Sequence, residues 1–131
     1  MSKRQLTKGV SPTASTFLPM NTPTDVLHAY VSAILDKPSP LVVSGTTVER
    51  SSWLDQGFEV TKEITDYAFN NGAVIRRTVE QDNFPCESAC AEVWITYEVI
   101  SSGDVVLGIS PPRKTFENAC RESFWLAYHS A

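Results

Sequence analysis

Phe58-Glu-Val-Thr-Lys-Glu-Ile-Thr-Asp-Tyr-Ala-Phe69, Asn70-Asn71-Gly72 and Ala73-Val-Ile-Arg-Arg-Thr-Val-Glu-Gln81 form one continuous stretch, and Ala91-Glu-Val-Trp-Ile-Thr-Tyr-Glu-Val-Ile-Ser101 follows after a cysteine-bearing loop. These runs are rich in β-branched and aromatic side chains, which fit a pleated, half-buried surface. Asn71-Gly72 joins the first two, and both residue types accept the positive φ angles of tight hairpin turns. The stretch therefore predicts an antiparallel sheet.

Alternation along each strand assigns its faces. In the first run Phe58, Val60, Ile64 and Ala68 share one side, expected to be apolar, while Glu59, Thr61, Glu63, Thr65 and Tyr67 share the other. In the third, Val93, Ile95, Tyr97 and Val99 oppose Glu92, Trp94, Thr96 and Glu98. A two-residue turn at Asn71-Gly72 puts Ile75, Arg77 and Val79 on the apolar side with Asp66 opposite Arg77, and a three-residue loop reverses that assignment.

Upstream, Thr22-Pro23-Thr24-Asp25 resembles a helix start, with Thr22 as N-cap and Pro23 in the first turn. Leu27, Tyr30, Val31, Ile34 and Leu35 then make one apolar stripe, so a helix is expected over 23–36, ended by Pro38 and Pro40. Leu41 to Glu49 is β-prone, and Ser51 to Gly57 reads as a loop into the sheet. Downstream, Gly103-Asp104 is a turn signal, Val105 to Ile109 a further short strand, and 113–129 a second helix with Phe116, Cys120, Phe124 and Ala127 inward. Residues 1–22, polar and bearing Pro12 and Pro19, read as an extended arm. The whole is an α+β domain: an antiparallel meander of about five strands over 41–110, one face covered by an N-terminal and a C-terminal helix.

Composition agrees with one globular domain, since 131 residues support a single core and 42% hydrophobic with 20% charged residues are ordinary globular values. A formal charge of −4 argues against a surface built throughout to grip nucleic acid, while leaving room for a local basic strip. No apolar run approaches the roughly 18 residues of a membrane span. The N-terminal residues lack the apolar core of a signal peptide, so the expected site is a cytoplasm or an assembly built there.

The residues that bear chemistry have ordinary readings beside functional ones. Cys86, Cys90, Cys120 and His129 are four soft ligands, but their spacing is not that of a zinc site, and Cys120 on a helical stripe is expected to serve as a small hydrophobe. Cys86 and Cys90 read as loop thiols or as disulfide partners of the same loop in another subunit. His28 and His129 have no evident nucleophile to serve, and the strand glutamates read as solvated side chains, so no catalytic residue, cofactor or metal is expected. Arg76, Arg77, Lys62, Tyr67, Trp94 and Thr96 suit single-stranded nucleic acid, arginine bonding phosphate and aromatic rings stacking on bases. A mixed-charge strand surface explains the same residues singly.

The segments Gly57-Phe-Glu-Val-Thr-Lys-Glu-Ile, Asn71-Gly-Ala-Val-Ile-Arg-Arg-Thr-Val-Glu-Gln, Cys86-Glu-Ser-Ala-Cys90, Ser102-Gly-Asp-Val-Val-Leu and Pro112-Arg-Lys-Thr-Phe-Glu-Asn-Ala-Cys-Arg-Glu-Ser occur in an informative order. From Gln56 to about Trp125 the chain resembles the coat proteins of small single-stranded RNA bacteriophages, the levivirus-like group. The resemblance implies an obligate homodimer with sheets joined edge to edge and helices interlocked through Phe116, Phe124 and Trp125, then self-assembly into an icosahedral virion in the host cytoplasm. It implies RNA contacts at Tyr67, Arg76, Thr78, Trp94 and Thr96, and inter-subunit disulfides at Cys86 and Cys90. Two other readings stand beside it: a helix-grip-like domain that encloses a ligand or catalyses a reaction, and a dimeric interaction module.

Overall fold

The computed structural model describes residues 24–82 and 92–130, so the arm over 1–22, Thr22 and Pro23, and Cys86 and Cys90 lie outside the described residues. The element order is α1 (Leu27–Ile34), β1 (Val43–Asp55), β2 (Phe58–Phe69), β3 (Ala73–Asp82), β4 (Trp94–Ser102), β5 (Arg113–Phe116) and α2 (Ala119–Ser130). The five strands form one antiparallel meander in the order β1-β2-β3-β4-β5. This is the α+β architecture expected from the alternating runs.

Several boundaries move. β1 continues through Ser51 to Asp55, where a loop was expected, because Gln56 and Gly57 take φ values of 52° and 84° and close a two-residue hairpin. The β2–β3 connection is the three-residue loop Asn70–Gly72, in which the Gly72 amide donates to the Phe69 carbonyl at 2.9 Å. Phe69 then faces the same side as Ala73, and Ala68 pairs with Val74.

That loop length reverses the assignment of β2. Thr65, Tyr67 and Phe69 turn to the helices beside Ile75, Ile95, Tyr97 and Val99, whereas Ile64, Asp66 and Ala68 turn to the opposite, open face. Val60 is buried apart from the main core, and Asp66 pairs with Arg76 rather than Arg77.

α1 begins at Leu27 with Val26 as an N-cap that makes no side-chain hydrogen bond, four residues later than Pro23. Its expected stripe holds: Leu27, Tyr30 and Val31 are fully buried, each aliphatic side chain contributing about 1.5–3 kcal/mol. The helix stops in a Schellman arrangement, with Lys37 N–H to Ser32 carbonyl at 2.8 Å and Asp36, at φ 60°, donating to Ala33 at 3.2 Å. Its start is tied to the approach to β5, since Leu27 N–H reaches the Ser110 carbonyl at 3.0 Å and Ser110 N–H reaches Asp25 at 2.8 Å.

Val105 to Ile109 holds a turn at Val106-Leu107, closed by Gly108 N–H donating to the Val105 carbonyl at 3.1 Å, and is not a strand, although Val105 and Ile109 are both buried. Residues 113–129 divide: Arg113–Phe116 completes the sheet against Ile95 to Glu98, and α2 begins only after Asn118, whose side-chain oxygen caps the helix by accepting from Arg121 N–H at 2.8 Å. The inward stripe differs from the expected one. Glu122, Trp125 and Leu126 face the sheet, while Phe124, Ala127 and Cys120 are exposed. Cys120 is disulfide-bonded and does not act as a buried hydrophobe.

Beyond the helices, the β1 half of the covered face carries exposed Thr46, Val48, Arg50, Ser52 and Leu54, with Arg50 paired to Glu63. This half is largely polar. The apolar core lies under α1 and α2, sealed by the chain's own helices.

Candidate nucleic-acid interface

The register of β2, β3, β4 and β5 sets side chains of the open face in cross-strand rows. One row runs Asp66, Arg76, Glu98, Arg113. The charges alternate, which turns neighbour repulsion into attraction along the row. Arg76 holds Asp66 with two bonds, Nε to Oδ1 at 2.8 Å and a terminal nitrogen to Oδ2 at 3.1 Å, and Arg113 lies 3.6 Å from Glu98. The bond from Arg76 keeps the Asp66 carboxyl below its ordinary range, and the same bond raises the Arg76 guanidinium.

The next row runs Ile64, Thr78, Thr96, Thr115. Thr96 and Thr115 hydroxyls lie 3.2 Å apart and share a hydrogen bond. Trp94, half exposed and paired with Glu80, stands at the end of the following row beyond Lys62. Four of the five residues proposed for RNA contact, Arg76, Thr78, Trp94 and Thr96, therefore share one open surface. Tyr67 does not join them, because the three-residue loop turns it to the covered face, where it packs on the core.

Arg77 also leaves the set. Its Nε donates to the Tyr97 hydroxyl at 3.0 Å, and a terminal nitrogen lies 3.9 Å from buried Glu122. Burial pushes the Arg77 guanidinium down, but the Tyr97 and Glu122 oxygens outweigh it and leave the group raised. Arg113 and Thr115 extend both rows and escaped the sequence reading because that stretch reads as a helix start.

The surface presents hydroxyls, the indole of Trp94 with that of Trp53 on β1, and two arginines, Arg76 and Arg113, matched by carboxylates. Hydroxyls suit base and ribose edges and an indole suits stacking on a base, while phosphate binding at Arg76 or Arg113 requires exchanging a carboxylate for a phosphate. Among the described residues no cluster of three or more His, Cys, Asp or Glu side chains stands close enough to hold a metal ion, and no helix is long and apolar enough to cross a membrane.

The residues expected at a dimer interface separate. Phe116 is buried in its own core and Trp125 packs against it at 5.3 Å between ring centroids, whereas Phe124 is 70% exposed. Exposed Tyr128 and half-exposed Trp94 join Phe124 around an apolar groove of about 620 Å³ along the β5 edge, with Lys114 at its side. Comparison with protein-family models, curated proteins and solved structures finds no match to this chain.

Proposed function

We propose that this chain is a coat protein, a structural subunit that dimerises and assembles into an icosahedral virion shell around single-stranded RNA. The reading rests on the resemblance of Gln56 to Trp125 to the bacteriophage coat proteins. The observation that supports it is the two-sided sheet: the chain's own helices seal one face, and no described element covers the other. A layer sealed behind and open in front suits a wall, with Arg76, Thr78, Trp94 and Thr96 turned inward to RNA. The space that a helix-grip ligand would occupy between α2 and the sheet is filled by Phe116, Tyr97, Leu126 and Glu122, which favours the wall over a ligand container.

Electron microscopy of the purified chain, with nuclease treatment before RNA extraction, tests the proposal. Closed particles holding nuclease-protected RNA are expected. A monomeric, RNA-free protein overturns it.

A further inference from the structure

We infer that the cleft between α1 and α2 binds a small oxyanion, a phosphate monoester or a carboxylate with a short apolar body, through Ser32, Lys37, His28 and His129. The inference is independent of the coat reading and concerns the covered side of the sheet.

A cavity of about 600 Å³ opens where the two helices meet residues 37–40, a size suited to a small organic ligand. Lys37, His28 and His129 are the titratable side chains of its wall. Among the described residues no carboxylate lines it, and Asp25 and Asp36, the acids nearest in sequence to His28 and Lys37, stay off the wall. In a chain of net charge −4, a cavity walled by groups that are neutral or positive selects an anion. Lys37 has no carboxylate within ion-pair distance among the described residues, so its charge is available.

Ser32 points to a ligand on separate grounds. It is 5% exposed and lines the same cavity, yet its hydroxyl neither donates to nor accepts from any described residue. Buried polar groups ordinarily have partners, and an oxyanion in the cavity supplies the acceptor. The Ser32 carbonyl is taken by Lys37 N–H at 2.8 Å, which sets the lysine backbone beside the serine at the end of α1.

The walls are fixed without a ligand. Ser39 Oγ donates to the Ala29 carbonyl at 2.7 Å and accepts from Leu41 N–H at 3.2 Å, clamping its segment against α1 between Pro38 and Pro40, whose rings hold φ. Across the cleft the stacked rings of His28 and His129 are steadied by Trp125, which stands edge-on to both. Ala29 and Leu126 give the apolar body of the ligand a surface to lie on. A site already ordered spends little of its binding energy on ordering.

A metal ion suits the cleft less well. Imidazole planes 11° apart do not converge their lone pairs on one point, and among the described residues no third His, Cys, Asp or Glu stands near enough to complete a set. An anion instead gains as the pair protonates, and it offsets the repulsion from His129 that, after burial, holds the His28 imidazole low. Lys37 and Tyr128, whose ring centroid lies 5.2 Å from that of His129, are the other titratable groups at the pair.

Calorimetric titration of the full chain with phenyl phosphate and with benzoate, against chloride at equal ionic strength, tests the site. Saturable binding of at least one probe is expected, and the tighter one tells a phosphate ester from a carboxylate. Benzoate keeps its charge over the range, so its affinity should rise about fivefold from about pH 8 to about pH 6, and His28→Gln should reduce that rise. Lys37→Ala and Ser32→Ala should each weaken the tighter probe by about tenfold. Without a probe Ser32→Ala should melt like the wild type, because the hydroxyl it removes has no partner to strand. No saturable binding of either probe, or full affinity retained in both Lys37→Ala and Ser32→Ala, overturns the site.

Discussion

The Tyr97 hydroxyl donates to the buried carboxylate of Glu122 while accepting from Arg77 Nε at 3.0 Å, so one phenol ties α2 to two strands of the sheet. Glu122 is 5% exposed, and Tyr97 is fully buried. Burial, with the neighbouring Glu122 charge, pushes the Tyr97 phenol far above its ordinary value, although Arg77 opposes the shift. The Tyr97 hydroxyl thus has both a donor and an acceptor among buried or largely buried groups.

Removing one partner strands the others. Tyr97→Phe should cost about 1–3 kcal/mol and Glu122→Ala about 3–5 kcal/mol of unfolding free energy, because each leaves a buried charge or donor unmatched. Glu117→Ala, whose ion pair with Arg121 is exposed, should stay within about 0.5 kcal/mol. Urea unfolding of the three variants compares them, and equal losses for Glu117 and Glu122 would count against the buried network.

α2 has two flanks with different duties. Leu126 is buried in the core, so Leu126→Ala should lose about 2–5 kcal/mol of stability. Phe124 points outward, so Phe124→Ala should unfold nearly like the wild type and weaken association instead. Thermal melts paired with light scattering separate the effects; a large loss of stability at Phe124 would contradict its outward placement.

The rings of His28 and His129 stack at 4.7 Å with 11° between planes and join α1 to the end of α2. Burial first, and the neighbouring His129 second, hold the His28 imidazole below its ordinary value of 6.5. A depressed folded value means that the unfolded chain binds the proton more readily. His28 therefore contributes stability that is present above about pH 6.5 and lost as pH falls through its folded value. Melting temperature should drop across that window, and His28→Gln should flatten the slope; an unchanged slope in the variant would assign the effect to other groups.

Asp66 and Arg76 compete with any phosphate for each other. Asp66→Asn should release the guanidinium and raise RNA affinity with a steeper salt dependence, whereas Arg76→Ala should lower packaged RNA more than it lowers assembly. Filter binding over a salt series and the RNA content of purified particles report the two. Unchanged RNA content in Arg76→Ala would remove that residue from the interface.

The sheet was readable because its signals are local and repeated: alternation in Trp94 to Ser101, β-branched runs, and Asn71-Gly72 at a turn. The faces of β2 were not, since a single residue of loop length decides parity and the sequence supports two lengths. Gln56-Gly57 is a weak turn signal in sequence, so the outer part of β1 reads as loop, whereas φ values of 52° and 84° make it a hairpin turn. Arg113 to Phe116 has no polar–apolar alternation of its own, and pairing with the edge of β4 makes it a strand. Asn118 as cap was the overlooked mark of the true helix start, and with it came the stripe through Glu122 and Leu126. Four of the five proposed RNA contacts fall on one face because their even numbers survive any error in the loop between β2 and β3; Tyr67, across that loop, does not.

The mass of the assembled species, measured by sedimentation over a range of protein concentrations, tests self-association most directly. A dimer is expected as the smallest folded species, in exchange with particles of shell size. A single chain that stays monomeric and folded at the highest concentration would contradict it.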